Sequence, residues 1–276
     1  MATAHRAGSR LIEPGRASFR RSSRQTLTWR HAAAGLPGAA EGTVGAAVAA
    51  ACVEAACVPR KEFFESWHVA RAVHAAVLGG GGGGGSHGGS HGGGRVLADL
   101  GCGHGLVSLM LLAMAPPGSL RSALLVDLRR PPSHGKLLAA FAERWPGLPA
   151  RVRYVEGRLE GLRANPGTVV VAAHACGTLT DDVLGLAAAG GAPVAVLPCC
   201  HDARAAIRAG LRSQDASRAE AVDEARAERM RGAGYDAEVR RIPADITPKN
   251  ALIIATPRGG GAMEAAGRHP FPWDPP

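Results

Sequence analysis

The chain has 276 residues and a formal charge of +9, from 32 Lys and Arg against 23 Asp and Glu. Alanine and glycine, with 54 and 38 residues, make up a third of it, so the remaining core-filling side chains suffice for one proper core but not for two large ones. Aromatic residues are only 4% of the chain, which disfavours stacking platforms for single-stranded nucleic acid.

Residues 1–40 carry most of the excess charge, with seven Arg and a single acid, Glu13. Their net charge of +6 leaves only +3 for the other 236 residues, so electrostatics alone do not indicate a nucleic-acid partner. A segment rich in Arg, Ser and Ala is typical of an organelle transit peptide, and also of an ordinary basic tail. We expect residues 1–58 to be a disordered leader of an intracellular protein, located in a plastid or mitochondrion if the leader is a transit peptide and otherwise in the cytoplasm.

The cysteines lie in apolar runs or near predicted strand ends, not at the spacings of a secreted disulfide scaffold. They are Cys52, Cys57, Cys102, Cys176, Cys199 and Cys200. With no secretory signal in the sequence, this usage favours a reduced, intracellular setting. No transmembrane helix is predicted, because the apolar stretch at 45–58 is short and contains Glu54, and we expect no membrane partner.

A domain is predicted over residues 59–257. It opens with an amphipathic helix at 60–78, in which Phe63, Phe64 and Trp67 begin an apolar series spaced by three and four residues. We expect this helix, with Trp67 as a packing residue, to cover one side of the core. Residues 79–94 contain twelve Gly and are predicted to form a flexible surface loop.

Strand and helix patterns then alternate up to residue 257. The predicted strands are 95–100, 122–127, 151–156, 168–173, 193–197, 237–242 and 251–256. The predicted helices are 104–115, 133–145, 181–189 and 216–231, with Ser133 and Thr180 as candidate N-caps. This alternation indicates an α/β fold with a mostly parallel seven-stranded sheet, helices on both faces and an antiparallel terminal hairpin. Residues 258–276 are predicted to be a disordered tail.

The turn after the first strand reads Asp99-Leu-Gly101-Cys102-Gly103-His-Gly105. Glycines let the backbone approach a ligand, and the following helix offers free N–H groups. Leu at position 106 breaks the dinucleotide pattern G-x-G-x-x-G, and the acid would repel a pyrophosphate. A carboxylate suits an adenosine ligand that carries an ammonium group, which is S-adenosylmethionine. The predicted cofactor-binding turn therefore consists of Asp99, Gly101, Cys102, Gly103 and Gly105.

Two further acids end the next strands. Asp127 closes the second strand, where a carboxylate can accept hydrogen bonds from both ribose hydroxyls. Glu156 closes the third strand and is a candidate for the adenine side of the site. In a parallel sheet both lie at the edge where ligands bind, beyond the carboxyl ends of the strands.

These residues resemble those of the class I S-adenosylmethionine-dependent methyltransferases, over about residues 60–257. A narrower likeness comes from His174-Ala-Cys176-Gly-Thr-Leu-Thr-Asp181 and from Pro198-Cys-Cys-His201. These two motifs are similar to those of the methyltransferase group that contains the tRNA ribose 2′-O-methyltransferase and the glutathione-S-transferase C-terminal-domain protein. The resemblance implies a Rossmann-like fold and methyl transfer. It leaves the acceptor open, with RNA, and tRNA in particular, as the first candidate and protein or small molecules next.

The Cys and His residues after the fourth and fifth strands are expected to converge beside the methyl group. We take His174, Cys176, Asp181 and His201 as candidate catalytic residues, with either histidine as a general base. Zinc binding and simple packing are the alternatives. Metal binding is disfavoured because the side chains of Cys199 and Cys200 diverge if the chain is extended. The alternative to an enzyme is a non-catalytic cofactor-binding or interaction module with the same fold.

Overall fold

The computed structural model describes residues 25–36, 43–79, 94–201 and 219–259. The helices are α1 Trp29–Gly35, α2 Val44–Ala55, α3 Arg60–Val73, α4 Leu106–Met114, α5 Pro132–Ala142, α6 Leu179–Gly190 and α7 Ala219–Gly232, with a π-helical turn at His74–Leu78 and a 3-10 turn at Pro149–Arg151. The strands are β1 Arg95–Leu100, β2 Leu120–Asp127, β3 Val152–Glu156, β4 Thr168–Ala175, β5 Val194–Pro198, β6 Tyr235–Arg241 and β7 Ala251–Pro257.

One seven-stranded sheet has the order β3-β2-β1-β4-β5-β7-β6. Strands β1 to β5 are parallel, and β7 lies antiparallel between β5 and β6. The predicted fold class is confirmed, including the terminal hairpin. The strand order reverses between β1 and β4, the position at which open α/β sheets bind ligands.

Helices cover both faces of the sheet because its central strands are apolar on both sides. Five of the six residues of β1 are buried, as are all five of β5, which is typical of parallel strands. Helices α3, α4 and α5 pack on one face around Phe63, Leu109 and Phe141. Helices α6 and α7 pack on the other face. No helix within the described ranges is long and apolar enough to span a membrane.

The N-terminal part of the domain differs from the prediction. Residues 43–58 were expected in a disordered leader, yet α2 lies in the core with Cys52 fully buried. Alanine is the best helix former, and its small side chain lets α2 pack closely against α5. Glu54 holds the two helices together through both guanidinium nitrogens of Arg144, at 2.5 and 2.7 Å. The ordered domain therefore includes residues N-terminal to 59.

The other terminal predictions lie outside the described residues. These are the most basic part of the leader at 1–24, the greater part of the Gly-rich loop at 80–93 and the tail from residue 260. Within the leader, Leu27 is already attached to the domain, because its N–H donates to the carbonyl of Val58 at 2.8 Å.

Both predicted N-caps are wrong. Helix α5 begins at Pro132 without a side-chain cap, because proline at the first helical position needs no partner for an N–H, and Ser133 falls inside the first turn. Helix α6 begins at Leu179, ahead of Thr180. The buried Thr180 hydroxyl instead donates to the carbonyl of Ala175 at 2.7 Å and ties the helix to the end of β4.

Candidate active site

A cavity of about 150 Å³ lies beyond the carboxyl ends of β1, β2 and β4, beneath α3. Six of the predicted site residues line it: Asp99, Gly101, Cys102, Gly103, Asp127 and His174. Small-molecule sites usually exceed roughly 300 Å³, so the enclosed part holds only a portion of a nucleoside-sized ligand. The other predicted residues lie outside this lining: Gly105, Glu156, Cys176, Asp181 and His201.

Asp99 is a buried carboxylate, with 1% of its surface exposed. Burial raises its pKa to about 6, although the hydroxyl of Ser108 partly offsets this by donating to Oδ2 at 2.7 Å. Within the described ranges, no Lys or Arg side chain forms an ion pair with it. A buried carboxylate without a cationic partner is costly, and a ligand ammonium group would supply the partner.

Asp127 organises the glycine turn. Its Oδ2 accepts a hydrogen bond from the N–H of Gly103 at 2.8 Å, and its Oδ1 accepts one from the N–H of Leu128 at 2.7 Å. Gly101 and Gly103 both have positive φ, at 68° and 53°, which favours glycine. A Cβ added to Gly103 would meet no atom within 4 Å, so the turn leaves open space above its backbone.

Gly105 and Glu156 serve the fold instead of the cavity. A Cβ on Gly105 would lie 2.2 Å from Cδ2 of Leu125, and its φ is +80°, so glycine is needed there for close packing and for the turn. The carboxylate of Glu156 accepts a hydrogen bond from the N–H of Arg130 at 2.7 Å. It thereby anchors the loop that follows Asp127.

Cys102 lines the cavity as a neutral thiol, because burial raises its pKa. The same turn is fixed from β3, since the hydroxyl of Tyr154 donates to the carbonyl of Gly103 at 2.7 Å. Thiolate chemistry at Cys102 is therefore disfavoured, and its contribution is to the shape of the cavity.

Helix α3 contributes acids that the sequence did not predict as site residues. Glu62 and Ser66 line the cavity, and Nε2 of His104 lies 2.6 Å from Oε1 of Glu62. Burial acts to raise the pKa of Glu62, but the contact with His104 and the nearby His174 together lower it below its usual value. Positions 62, 65 and 66 share one helix face. That spacing is visible in the sequence, but the surface that this face covers is not.

His174 reaches the cavity through a bulge in β4. The register of β4 against β5 shifts between Ala173 and Ala175, and His174 has a φ of 64°. Bulges re-aim side chains, and here Nε2 of His174 lies 3.3 Å from Oε2 of the buried Glu65. Lys61 also contacts Glu65, at 2.5 Å. Burial raises the pKa of Glu65, but its contact with His174 contributes to a net decrease.

The structure places Asp181 and His201 in a buried ionic network instead of the cavity. Arg226 is fully buried, 2.8 Å from Asp181 and 3.2 Å from Asp223. Nε2 of His201 lies 2.8 Å from the same Asp223 oxygen. Arg229 also pairs with Asp181. Both predicted catalytic residues therefore join α6 and the end of β5 to α7.

The cysteines after β4 and β5 converge. Cys176 and Cys199 form a disulfide with a Cα–Cα distance of 5.3 Å, which the sequence did not predict. The sulfur atoms of Cys199 and Cys200 lie 3.6 Å apart. The expectation that these adjacent side chains diverge is wrong, because the chain leaves β5 at Pro198 and is no longer an extended strand.

Comparison with known families adds one match. Residues 86–206 match a family model described as a methyltransferase domain. This range spans β1 to β5 and contains Asp99, the glycine turn, Asp127 and His174. This part of the chain matches a methyltransferase domain, an enzyme whose methyl donor is S-adenosylmethionine. A comparison with curated proteins finds no match.

Solved structures give likenesses at low identity. An O-methyltransferase family protein from Burkholderia thailandensis is 18% identical, with 88% of this chain and 67% of that chain covered and a TM-score of 0.43. A protein from Corynebacterium glutamicum is 19% identical, with 79% and 91% covered and a TM-score of 0.48. The B. subtilis tRNA methyltransferase TrmK is 16% identical, with 71% and 65% covered and a TM-score of 0.39.

The residues of the methyltransferase domain fit its donor. Asp99 would hold the ammonium group, because it is a buried carboxylate without a Lys or Arg ion pair among the described residues. The backbone of Gly103 leaves room for close approach. The Asp127 carboxylate stands at the end of β2, where it can accept hydrogen bonds from the ribose hydroxyls.

Proposed function

We propose that the protein methylates a hydroxyl group of RNA, with tRNA as the first candidate. The observation that supports a hydroxyl acceptor is the pair of His174 and Glu65 at the cavity. A hydroxyl is a weak nucleophile until its proton is removed, whereas a thiol or a ring nitrogen needs less help. A histidine backed by a buried carboxylate is the arrangement that such an acceptor needs.

S-adenosylmethionine supplies an electrophilic methyl group. His174 would accept the proton of the acceptor hydroxyl as this oxygen receives the methyl group that S-adenosylmethionine would supply. Glu65, 3.3 Å away, stabilises the resulting imidazolium and orients the ring. The remaining task of the cavity is to hold acceptor and methyl in line, since proximity supplies much of the rate in such transfers.

The loop after Asp127 supports an RNA acceptor. Leu128 is 69% exposed, and Arg129 and Arg130 beside it are also exposed. The guanidinium of Arg130 lies 4.8 Å from the ring of Tyr154 and donates to the carbonyl of that residue, so it braces the loop. An exposed apolar side chain next to arginines offers contacts for both a base and a phosphate.

The test is transfer of a labelled methyl group to fractionated cell extract. The full chain is incubated with labelled S-adenosylmethionine and with separate RNA, protein and small-molecule fractions, and labelled RNA is digested to nucleosides. We expect the label in RNA as 2′-O-methylnucleoside. Label confined to protein or small molecules, or found on an RNA base, would overturn the proposal while leaving methyl transfer itself intact.

Variants of His174 and Glu65 test whether this pair handles the proton of the acceptor. His174→Gln and Glu65→Gln should lower turnover by about 10²-fold or more and leave S-adenosylmethionine affinity near that of the wild type. Glu160→Gln is the matched control, because Glu160 is an exposed acid paired only loosely with Arg158 at 3.9 Å. Equal turnover in all three variants would show that the pair does not handle the proton.

A further inference from the structure

Three cysteines meet at the rim of the cavity. Cys176 follows the bulge of β4, whereas Cys199 and Cys200 follow β5, and these strands are parallel neighbours. Their three sulfur atoms all lie within 4.8 Å of one another. Within the described ranges, no other group of three or more His, Cys, Asp or Glu ligand atoms is so gathered.

The spacing of the sulfurs suits a single thiophilic ion. Zinc binds thiolate sulfur at about 2.3 Å in tetrahedral sites, so two sulfurs on one ion lie roughly 3.8 Å apart. The pair of Cys199 and Cys200 is at 3.6 Å, and the whole triad is within 4.8 Å.

We propose that Cys176, Cys199 and Cys200, when reduced, form a binding site for a thiophilic d¹⁰ cation, with Zn²⁺ as the first candidate. Soft thiolates select such ions over Mg²⁺ or Ca²⁺. Cys176 and Cys200 are exposed, so the ion enters from solvent. Three protein ligands leave a fourth tetrahedral position, the arrangement of zinc sites that exchange a water or a substrate atom.

The disulfide between Cys176 and Cys199 competes with the ion, because it consumes two of the three ligands. Reduction by a dithiol transfers two electrons and two protons to the disulfide, which gives two thiols, and the dithiol becomes a disulfide in turn. Binding of the cation then displaces protons from the thiols. The ion and the disulfide therefore exclude each other at this rim.

The site also adjoins the cavity. The sulfur of Cys199 lies 3.5 Å from the carbonyl oxygen of His174, whose side chain lines the cavity. An ion on the triad would thus lie next to His174, the residue that we propose as the base for the acceptor hydroxyl. This placement distinguishes the triad from Cys52 and Cys57, which belong to the packing of α2 against the domain.

The test is titration of the full, dithiol-reduced chain with Cd²⁺, followed by competition with Zn²⁺. We expect sulfur-to-cadmium charge-transfer absorption that saturates at one ion per chain. Cys200→Ser and Cys176→Ser should each weaken binding by at least tenfold. Cys57→Ser is the matched control and should bind as the wild type does, since this thiol donates to the carbonyl of Ser133 and is not part of the triad. Re-oxidation with a diazene oxidant, which takes up two electrons from Cys176 and Cys199, should release the ion.

Absence of the charge-transfer band in the reduced wild type would overturn the proposal. The same band in Cys200→Ser and Cys176→Ser at wild-type affinity would also overturn it, because the ion would then be bound elsewhere. Circular dichroism shows whether each variant is folded, and the exposed Cys200 is the position at which serine disturbs the fold least.

Discussion

Two regions at the same edge of the sheet both contain carboxylates, but the partners of these carboxylates differ. In the cavity, Asp99 and Asp127 form no ion pair with a Lys or Arg side chain of the described residues; their partners are the Ser108 hydroxyl and backbone N–H groups. At the ends of β4 and β5, Asp181 and Asp223 are saturated by Arg226, Arg229 and His201.

The difference shows how the fold divides binding from support. A carboxylate already paired with a buried guanidinium has little left to offer a ligand, and its removal exposes an uncompensated charge. A carboxylate buried without a cation carries a desolvation cost that a cationic ligand relieves. We therefore assign Asp99 to binding, with the half-buried Asp127 beside it, whereas Asp181 and Asp223 hold α7 against the domain.

Arg226→Ala should give the largest effect and tests the supporting network. Its loss leaves two buried carboxylates, Asp181 and Asp223, without their shared partner, and we expect a fall in the free energy of unfolding of about 3–5 kcal/mol. Urea denaturation measures it. Arg240→Ala removes the exposed pair with Glu238 and should cost under about 1 kcal/mol. Equal losses in the two variants would contradict the assigned role of the network.

A pair of glycine variants separates packing from binding within the cavity turn. Gly105→Ala should lower the free energy of unfolding by about 2–4 kcal/mol, because its Cβ overlaps Leu125 and its φ is positive. Gly103→Ala should cost only about 1–2 kcal/mol, since it has strain without overlap, yet it should weaken S-adenosylmethionine binding. Thermal unfolding and calorimetry measure the two quantities. A larger stability loss at Gly103 would refute this division.

Asp99→Asn should act in the opposite sense to Arg226→Ala. It removes the buried charge, so we expect S-adenosylmethionine affinity to fall by about 10- to 100-fold, the value of a charged hydrogen bond. The free energy of unfolding at neutral pH should be unchanged or higher. Calorimetric titration and urea denaturation give both values. A stability loss with unaltered affinity would place Asp99 among the supporting residues.

The pKa of Asp99 predicts a pH dependence of binding. Because burial raises this pKa to about 6, protonation competes with a cationic ligand, and affinity should fall roughly tenfold between about pH 7 and pH 5. The effect on stability has the opposite direction. The raised pKa stabilises the fold below about pH 4, and this contribution is lost as the pH rises through about 6. Asp99→Asn should remove the dependence of affinity, and its persistence in that variant would assign it to another group.

Much of the binding region was predictable because its signals are local. Asp99, the glycine turn and Asp127 each sit at the end of a buried strand, and strand ends of a parallel sheet meet at one edge. Glu156 obeys the same local rule, yet it bonds to the backbone of Arg130. A strand end fixes the position of a residue along the edge, but it does not fix the direction of the side chain.

The residues from distant segments were not predictable in the same way. Glu62 and Glu65 read as the polar part of an amphipathic helix until α3 is seen to cover the cavity. Asp181 was predicted to be catalytic from the motif that follows the fourth strand. Its partner Arg226 lies 45 residues away, and no local pattern links the two. Residues 43–58 looked like a leader because alanine gives no periodic signal, although its small size permits close helix packing.

The sequence by itself determined the seven strands, their α/β arrangement and the strand-end carboxylates Asp99 and Asp127 that line the cavity, because buried runs and strand-end turns are properties of short segments. Only the tertiary structure decided which acids remain without a cation, how the bulge at His174 turns its side chain towards Glu65, and that three cysteines from two strands meet. These properties depend on pairings between distant segments, since burial and partners, not residue type, set the charge and the reach of a side chain.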